Sequence, residues 1–166
     1  AGILRATAYL SERRFGALRG FLAELRRSVA TEKDLLEIQL LDAHGKALAG
    51  QVREAFSMIV RILRQVSPFT EEHARARYIA GLCLFRRGHY GWARTQLESS
   101  VAYYRLSGDR VGLSFMLNNL ALLEKSVGRV DLALSLFDQA AQLVPVEQFV
   151  RHHCRLLGNR GVCFLR

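Results

Sequence analysis

Proline is scarce in this sequence, because only Pro68 and Pro145 occur among 166 residues. This scarcity leaves long segments in which no residue forces a helix to break. Apolar runs are also short, well below the roughly 18 residues of a membrane-spanning helix, and no charged segment followed by an apolar one predicts a secretion signal. Hydrophobic residues nevertheless make up 50% of the chain, which excludes a disordered protein. We expect a folded chain with no membrane partner.

Cysteine is rare as well, with Cys83, Cys154 and Cys163 in apolar surroundings and in no CxxC pair. An odd number of cysteines without a secretion signal favours reduced thiols and a cytoplasmic location. We therefore expect all three thiols to be buried. The same absence of paired ligands argues against a metal centre.

Acidic residues are fewer than basic ones, 15 against 24, and the formal net charge is +9. A basic protein can attract nucleic acid. Here lysine is limited to Lys33, Lys46 and Lys125, and the arginines are scattered along the whole chain. The charge therefore does not predict a dedicated nucleic-acid surface.

Apolar residues recur at the spacing of helices, and no segment alternates as a strand would. The sequence predicts an all-α fold. The predicted helices span residues 1–12, 15–28, 32–48, 51–66, 70–87, 90–106, 110–127, 130–143 and 148–166. Ser11 and Thr31 are predicted to begin helices, and Trp92 is predicted to pack between repeats.

A period of about 40 residues relates Gly81, Ala121 and Gly161. Seven residues after Gly81, and seven after Ala121, stands a glycine. An aromatic or branched residue, small residues and a large apolar residue come next. The third copy contains Gly88, Tyr90, Ala93, Leu97 and Ser100, and the fourth contains Gly128, Val130, Ala133, Phe137, Ala140 and Pro145. Fainter copies contain Ala43, Gly50, Val52, Ala55 and Ile59, and Ala6, Phe15, Leu18 and Leu22.

These residue types fit paired helices. Small residues allow two helices to approach closely, large ones such as Leu97 and Phe137 fill the space between pairs, and glycine suits a left-handed cap at the end of a helix. Because one pair cannot bury its apolar face alone, the pairs must stack. We expect an α-α superhelix, or solenoid, of about four antiparallel pairs and a terminal half. We expect it to form one domain over residues 1–166 and to be a fragment of a larger protein.

This pattern resembles the tetratricopeptide repeat family, closely over residues 70–166 and only by register over residues 1–69. The tryptophan usual in the first helix is missing, and the period exceeds the family's usual 34 residues. The long period is similar to that of kinesin light chains and of bacterial signalling and transcription regulators. The resemblance implies a right-handed superhelix whose concave groove is built from the first helix of each pair.

The resemblance also implies which residues line that groove, from four positions of each first helix. At three or four of these positions in each helix, the candidate residues are Arg75, Tyr78 and Leu82; Phe115, Asn118, Asn119 and Leu122; and Arg155, Asn159 and Val162. This assignment predicts that Asn119 and Asn159 lie side by side.

The amides of Asn119 and Asn159 could satisfy the backbone of an extended peptide. Alternatively, these asparagines cap helices or bond across the contact between repeats. Arg75 and Arg155 flank Phe115 and could bind carboxylates, or they could simply form a solvated face. The lysine and asparagine that chaperone-binding members of the family use are absent, which disfavours that partner.

No arrangement of residues predicts catalysis or a cofactor. His152, His153 and Cys154 are adjacent and point to different sides of a helix, whereas zinc ligands on a helix stand four residues apart. The segment 158–161 lies inside a helical repeat and is not a phosphate loop. The function expected is that of a protein- or peptide-binding scaffold, the regulatory or sensor part of a larger signalling or transcription regulator. The alternative is a module for oligomerisation, such as a homodimer, or for docking within the same protein.

Overall fold

The computed structural model describes residues 2–29 and 31–163, and within the first helix it describes no side chains at residues 2–5 and 7. Residues 164–166 lie outside this description, and so does the predicted end of the last helix. Within the described ranges the chain forms helices without strands, which confirms the all-α prediction. The helices are α1 Gly2–Ser11, α2 Phe15–Ser28, α3 Glu32–Leu48, α4 Val52–Gln65, α5 Glu71–Arg86, α6 Tyr90–Ser107, α7 Arg110–Ser126, α8 Val130–Gln142 and α9 Val150–Gly161.

The chain divides into two compact units, residues 1–88 and 89–166. Unit 1 contains α1 to α5 and unit 2 contains α6 to α9. Within each unit consecutive helices pack against one another, and in unit 1 α3 also contacts α1 and α5. This pattern is the one expected of helix pairs joined by short turns.

Glycine ends the first helix of three predicted pairs. Gly50, Gly88 and Gly128 have φ angles of 91°, 79° and 82°. Residues with a Cβ avoid this left-handed region, so glycine here removes the strain of reversing the chain. The predicted role of these glycines is confirmed.

Helix starts are fixed by side chains that accept backbone hydrogen bonds. Thr31 accepts from the N–H of Asp34, and Asp109 from that of Gly112, at 3.1 and 2.9 Å. Ser11 was predicted to begin a helix, and this is wrong: Ser11 ends α1, and its hydroxyl donates to the carbonyl of Ala8. A serine can bond back to a preceding carbonyl as readily as it can cap a helix.

In unit 1 the small residues let α3 and α4 meet closely. Ala43 and Ala47 of α3 lie in one buried cluster with Ala55 and Ile59 of α4. A second cluster joins the first three helices and contains Ala6, Leu10, Leu18, Leu22, Ile38 and Leu41. The close approach that small residues permit is thus present where the repeat pattern predicts it.

In unit 2, α7 is packed between α6 and α8, and α9 contacts α8. Leu97 of α6 and Phe137 of α8 are 2% and 1% exposed, which confirms that both are interior. Trp92 is 70% exposed, so the prediction that it packs between repeats is wrong. An aromatic residue near a helix start does not by itself indicate which side of the helix is covered.

A buried carboxylate ties three segments of unit 2 together. Glu124 of α7 is only 1% exposed, and it accepts two hydrogen bonds from Arg94 of α6 at 2.5 and 2.7 Å. Arg129, just before α8, lies 3.7 Å from the same carboxylate. Bonding to Glu124 raises the pKa of Arg94. Such paired bonds offset the cost of burying the charge.

Two cysteines follow the prediction and one does not. Cys83 and Cys163 are buried, and burial raises the pKa of the Cys83 thiol to about 11. Cys154 is exposed, so the prediction that all three thiols are buried is wrong. No described helix is both long and apolar enough to cross a membrane.

Candidate functional site

The predicted site residues lie on α5 in unit 1 and on α7 and α9 in unit 2. We call Arg75, Tyr78 and Leu82 the unit 1 face. We call the unit 2 face the set formed by Phe115, Asn118, Asn119 and Leu122 on α7 with Arg155 and Asn159 on α9 and Val162 directly after it. Each face is described within its own unit.

On the unit 1 face, Arg75 is held by a carboxylate. Its two terminal nitrogens donate to the two oxygens of Glu37 on α3 at 2.5 and 2.7 Å. Both side chains are mostly buried, with 26% and 17% of their surfaces exposed. This bidentate pair neutralises the arginine. Arg75 is therefore not a ready site for a peptide carboxylate.

Tyr78 of the unit 1 face contacts a half-buried histidine of α3. Its hydroxyl lies 3.3 Å from Nε2 of His44 on α3, and the two rings pack edge to face at 5.2 Å between centroids. Burial, assisted by the charge of Arg75, lowers the pKa of His44 to about 4. The histidine is therefore neutral at physiological pH. Leu82 is half-buried one turn beyond Tyr78.

On the unit 2 face, the arginine meets an aromatic ring instead of a carboxylate. The guanidinium carbon of Arg155 lies 5.6 Å from the centre of the Phe115 ring, and Arg155 is exposed. The centre of the same Phe115 ring lies 4.1 Å from the centre of the His152 ring. A cation over an aromatic face keeps its charge and its hydrogen-bond donors. Arg155 can therefore still bind an anion.

The three asparagines of the unit 2 face have different roles. Asn119 donates to the carbonyl of Phe115 in its own helix at 2.7 Å, whereas Asn159 donates across to Oδ1 of Asn118 at 2.9 Å. Asn118 is only 3% exposed, so its amide supports α9 rather than a ligand. The hydrogen bonds thus match the alternative of local and cross-helix bonding. Asn119 and Asn159 are half-buried and not structurally equivalent.

Apolar contacts complete the unit 2 face. Leu122 is half-buried one turn beyond Asn118, and Val162 is 45% exposed. Val162 follows the end of α9 rather than lying inside the helix, which was predicted to continue. The face therefore combines an exposed cation, amide groups and apolar side chains.

Buried hydrogen bonds link Ala140, Ser114 and His152 beneath the unit 2 face. Ser114 of α7 donates its hydroxyl hydrogen to the carbonyl of Ala140, so Nε2 of His152, 2.7 Å away, must donate to Ser114. This assignment leaves Nδ1 of His152 as a buried acceptor without a hydrogen-bond partner. Burial and the charge of Arg155 lower the pKa of His152 to about 4.

The adjacent histidines serve separate contacts. His153 bonds through Nε2 to the carbonyl of Val144 at 2.8 Å, while His152 bonds to Ser114. Among the described residues no three His, Cys, Asp or Glu side chains are grouped so that they could hold a metal ion. The sequence 158–161 forms the last turn of α9, which ends at Gly161.

Sequence reasoning missed the partners of the candidate residues. Glu37, His44, Ser114 and His152 determine how each face is held, yet none was singled out for these contacts. The role of Glu37 could have been predicted from the sequence. Glu37 occupies the same motif position in its repeat as Arg75 does 38 residues later. Opposite charges at one motif position of neighbouring repeats predict a pair between them.

A scan against models of known protein families finds no match for this chain, and a search of curated proteins finds none either.

Proposed function

We propose that this chain is a helical-repeat scaffold of the tetratricopeptide type that binds an extended peptide segment of a partner protein. Its helix pairs would stack as a superhelix, and the first helices would form the binding surface. The buried small residues and the left-handed glycine caps at a period of about 40 residues support this proposal. The chain would act as the cytoplasmic regulatory or sensor part of a larger signalling or transcription regulator, without catalysis of its own.

The observation that carries the proposal is the composition of the unit 2 face. An exposed arginine stacked on an aromatic ring stands beside half-buried amides and apolar side chains. Amide groups suit the backbone of a peptide, and a guanidinium suits an acidic side chain or a terminal carboxylate. The ligand class proposed is therefore an extended peptide with at least one carboxylate.

A displayed library of random peptides would supply the ligand. The selected peptide is titrated calorimetrically into the wild-type chain and into Asn119→Ala. Since Asn119 bonds only to its own helix among the contacts described, its loss should leave folding intact and weaken binding by about 1 to 3 kcal/mol. Asn159→Ala is a poorer choice, because it would leave the buried Oδ1 of Asn118 without its donor.

Gln139→Ala is the matched control, since Gln139 is an exposed amide on α8 that bonds within its own helix. Its affinity should equal that of wild type. If Asn119→Ala binds as tightly as Gln139→Ala, the peptide does not use this face. If no peptide is selected and the chain associates with itself or with other parts of its own protein, the docking alternative is correct.

A further inference from the structure

A cleft remains in unit 1 where α2 and α4 both pack against α3. It has a volume of about 450 Å³ and is lined by residues of all three helices, and we call it the α3 cleft. Volumes of about 300 to 1,000 Å³ are typical of sites for small molecules. The next helix, α5, already packs against α3 and α4 and leaves the cleft open. The cleft is therefore not the uncovered end of the helix stack.

The α3 side of the cleft departs from the repeat pattern. Gln39 and Asp42 are half-buried and line the cleft, four residues and one residue before the small residue of their repeat. At the same distances in the fourth repeat stand Leu117 and Leu120, which are 2% and 8% exposed. Polar side chains at core positions are unfavourable unless they serve a function. The second repeat thus has hydrogen-bonding groups where the fourth has apolar packing.

One positive charge of the α3 cleft is left without a partner. Arg26 of α2 is paired with Asp42, at 3.2 Å between Nη2 and Oδ2. Arg61 of α4 is exposed and forms no ion pair with a described residue. The charged residues that line the cleft are these two arginines and the aspartate, so a single positive charge remains. A guanidinium binds a carboxylate through two parallel hydrogen bonds. A ligand with one carboxylate therefore matches the charge of the cleft.

The rest of the α3 cleft offers apolar surface and an amide. Leu35 of α3 is 40% exposed, Met58 of α4 is half-buried, and both line the cleft beside the buried Ile62. The amide of Gln39 forms no hydrogen bond with a described residue, so its donors and its acceptor are available. Mostly apolar walls with a few polar groups are typical of small-molecule sites. The ligand should therefore carry an apolar chain as well as its carboxylate.

We propose that the α3 cleft binds a small amphipathic molecule with one carboxylate and a short apolar chain. Arg61 holds the carboxylate, and Leu35 and Met58 contact the chain. The cleft is separate from the unit 1 face, which lies on α5, and from the unit 2 face, which carries the peptide proposal. The failure of either proposal therefore leaves the other unaffected.

The two methionines of the chain provide the readout. Met58 lines the cleft, whereas Met116 lies on α7 in unit 2 and is 8% exposed. Octanoate is titrated into the chain labelled with ¹³C in its methionine methyl groups, and both signals are followed by NMR. The signal of Met58 should shift until it saturates, and the signal of Met116 should stay in place.

Related compounds separate the contribution of charge from that of the apolar chain. Octanamide has the same chain without the charge and should bind at least about tenfold more weakly than octanoate. Butanoate and hexanoate should also bind more weakly, by at most about fourfold for each methylene group removed. Inorganic phosphate should not shift the Met58 signal. If phosphate binds as tightly as octanoate, the cleft is a simple anion site and the proposal is wrong.

Two variants of α4 locate the carboxylate. Arg61→Gln should weaken octanoate binding at least about tenfold and change octanamide binding by less than about twofold. Arg64→Gln is the matched control, because Arg64 is an exposed arginine of the same helix that does not line the cleft. Its affinity for octanoate should stay within about twofold of wild type. Circular dichroism checks that both variants fold.

Three results would overturn the proposal. The first is the absence of a saturable shift of the Met58 signal with octanoate. The second is an equal shift of the Met58 and Met116 signals, which would mean that octanoate does not select the α3 cleft. The third is octanoate binding that Arg61→Gln leaves unchanged, or that Arg64→Gln weakens to the same extent.

Discussion

Arg75 in unit 1 and Arg155 in unit 2 occupy the same motif position and have opposite surroundings. Arg75 is paired with the carboxylate of Glu37, whereas Arg155 lies over the ring of Phe115. In both cases the partner is the residue at the same position of the preceding repeat. One substitution in that preceding repeat, acidic or aromatic, thus decides whether an arginine is neutralised or remains available.

The comparison also shows how repeats can diverge without losing their packing. The residues that let helices approach stay small and buried in both units, for example Ala55 and Ala133. The polar contacts differ, His44 with Tyr78 in unit 1 and His152 with Ser114 in unit 2. The buried small residues therefore keep the helix packing alike, while the polar contacts of the first helices differ between the two units.

The largest expected loss of stability comes from truncating one large, buried apolar side chain in each unit. Phe137 in unit 2 and Ile59 in unit 1 are both almost fully buried. Phe137→Ala should cost about 3 to 5 kcal/mol and Ile59→Ala about 2 to 5 kcal/mol in urea unfolding. A loss below about 1 kcal/mol for either variant would mean that the two positions are not equivalent.

The second largest expected effect is a fall in the unfolding free energy at acid pH, to which one histidine in each unit contributes. His44 and His152 have pKa values lowered to about 4, against an ordinary value of 6.5. The unfolded chain therefore binds more protons between these values, so the stabilisation is complete above pH 6.5 and is lost as the pH falls towards 4. Each histidine should contribute about 1 to 2 kcal/mol of loss between pH 7.5 and pH 5.

Variants assign this loss to each unit. His44→Gln and His152→Gln should each flatten the dependence of the unfolding free energy on pH by about half, relative to wild type. Denaturant melts at several pH values measure the slope. A slope unchanged in one variant would show that its histidine is as hydrated in the folded chain as in the unfolded one.

A smaller effect should separate the two arginine contacts. A double-mutant cycle on Glu37 and Arg75 should give a coupling free energy of about 1 to 2 kcal/mol, because two charged hydrogen bonds are largely buried. The same cycle on Phe115 and Arg155 should give about 0.5 to 1 kcal/mol. Equal couplings would contradict the difference between the two faces.

Much of the fold could be predicted because it depends on residue size and on glycine. The helix bounds from Phe15 to Gln142 differ from prediction by at most one residue, since Gly50, Gly88 and Gly128 mark the ends of first helices. The last helix was predicted to continue to residue 166, and this is wrong because α9 ends at Gly161. Periodicity also could not tell that Cys154 and Trp92 are exposed.

The candidate site was only partly predictable, because its contacts do not follow the period. Asn119 and Asn159 are 40 residues apart and equivalent by register, yet Asn159 bonds to Asn118 at a separation of 41. The partner is set by the relative rotation of α7 and α9 and by side-chain rotamers, which a sequence pattern does not contain. The pairing of Arg75 with Glu37, by contrast, follows a separation of 38 that was already visible between the second and third repeats.

The most direct test compares Arg155→Ala with Arg75→Ala in binding an acidic peptide selected from a random library. Because Arg75 is neutralised by Glu37 and Arg155 is not, Arg155→Ala should weaken binding at least about tenfold, whereas Arg75→Ala should stay within about twofold. The measurement is a calorimetric titration of the same peptide into both folded variants. Equal losses, or a larger loss for Arg75→Ala, would contradict the claim that unit 2 alone presents an available arginine at this position.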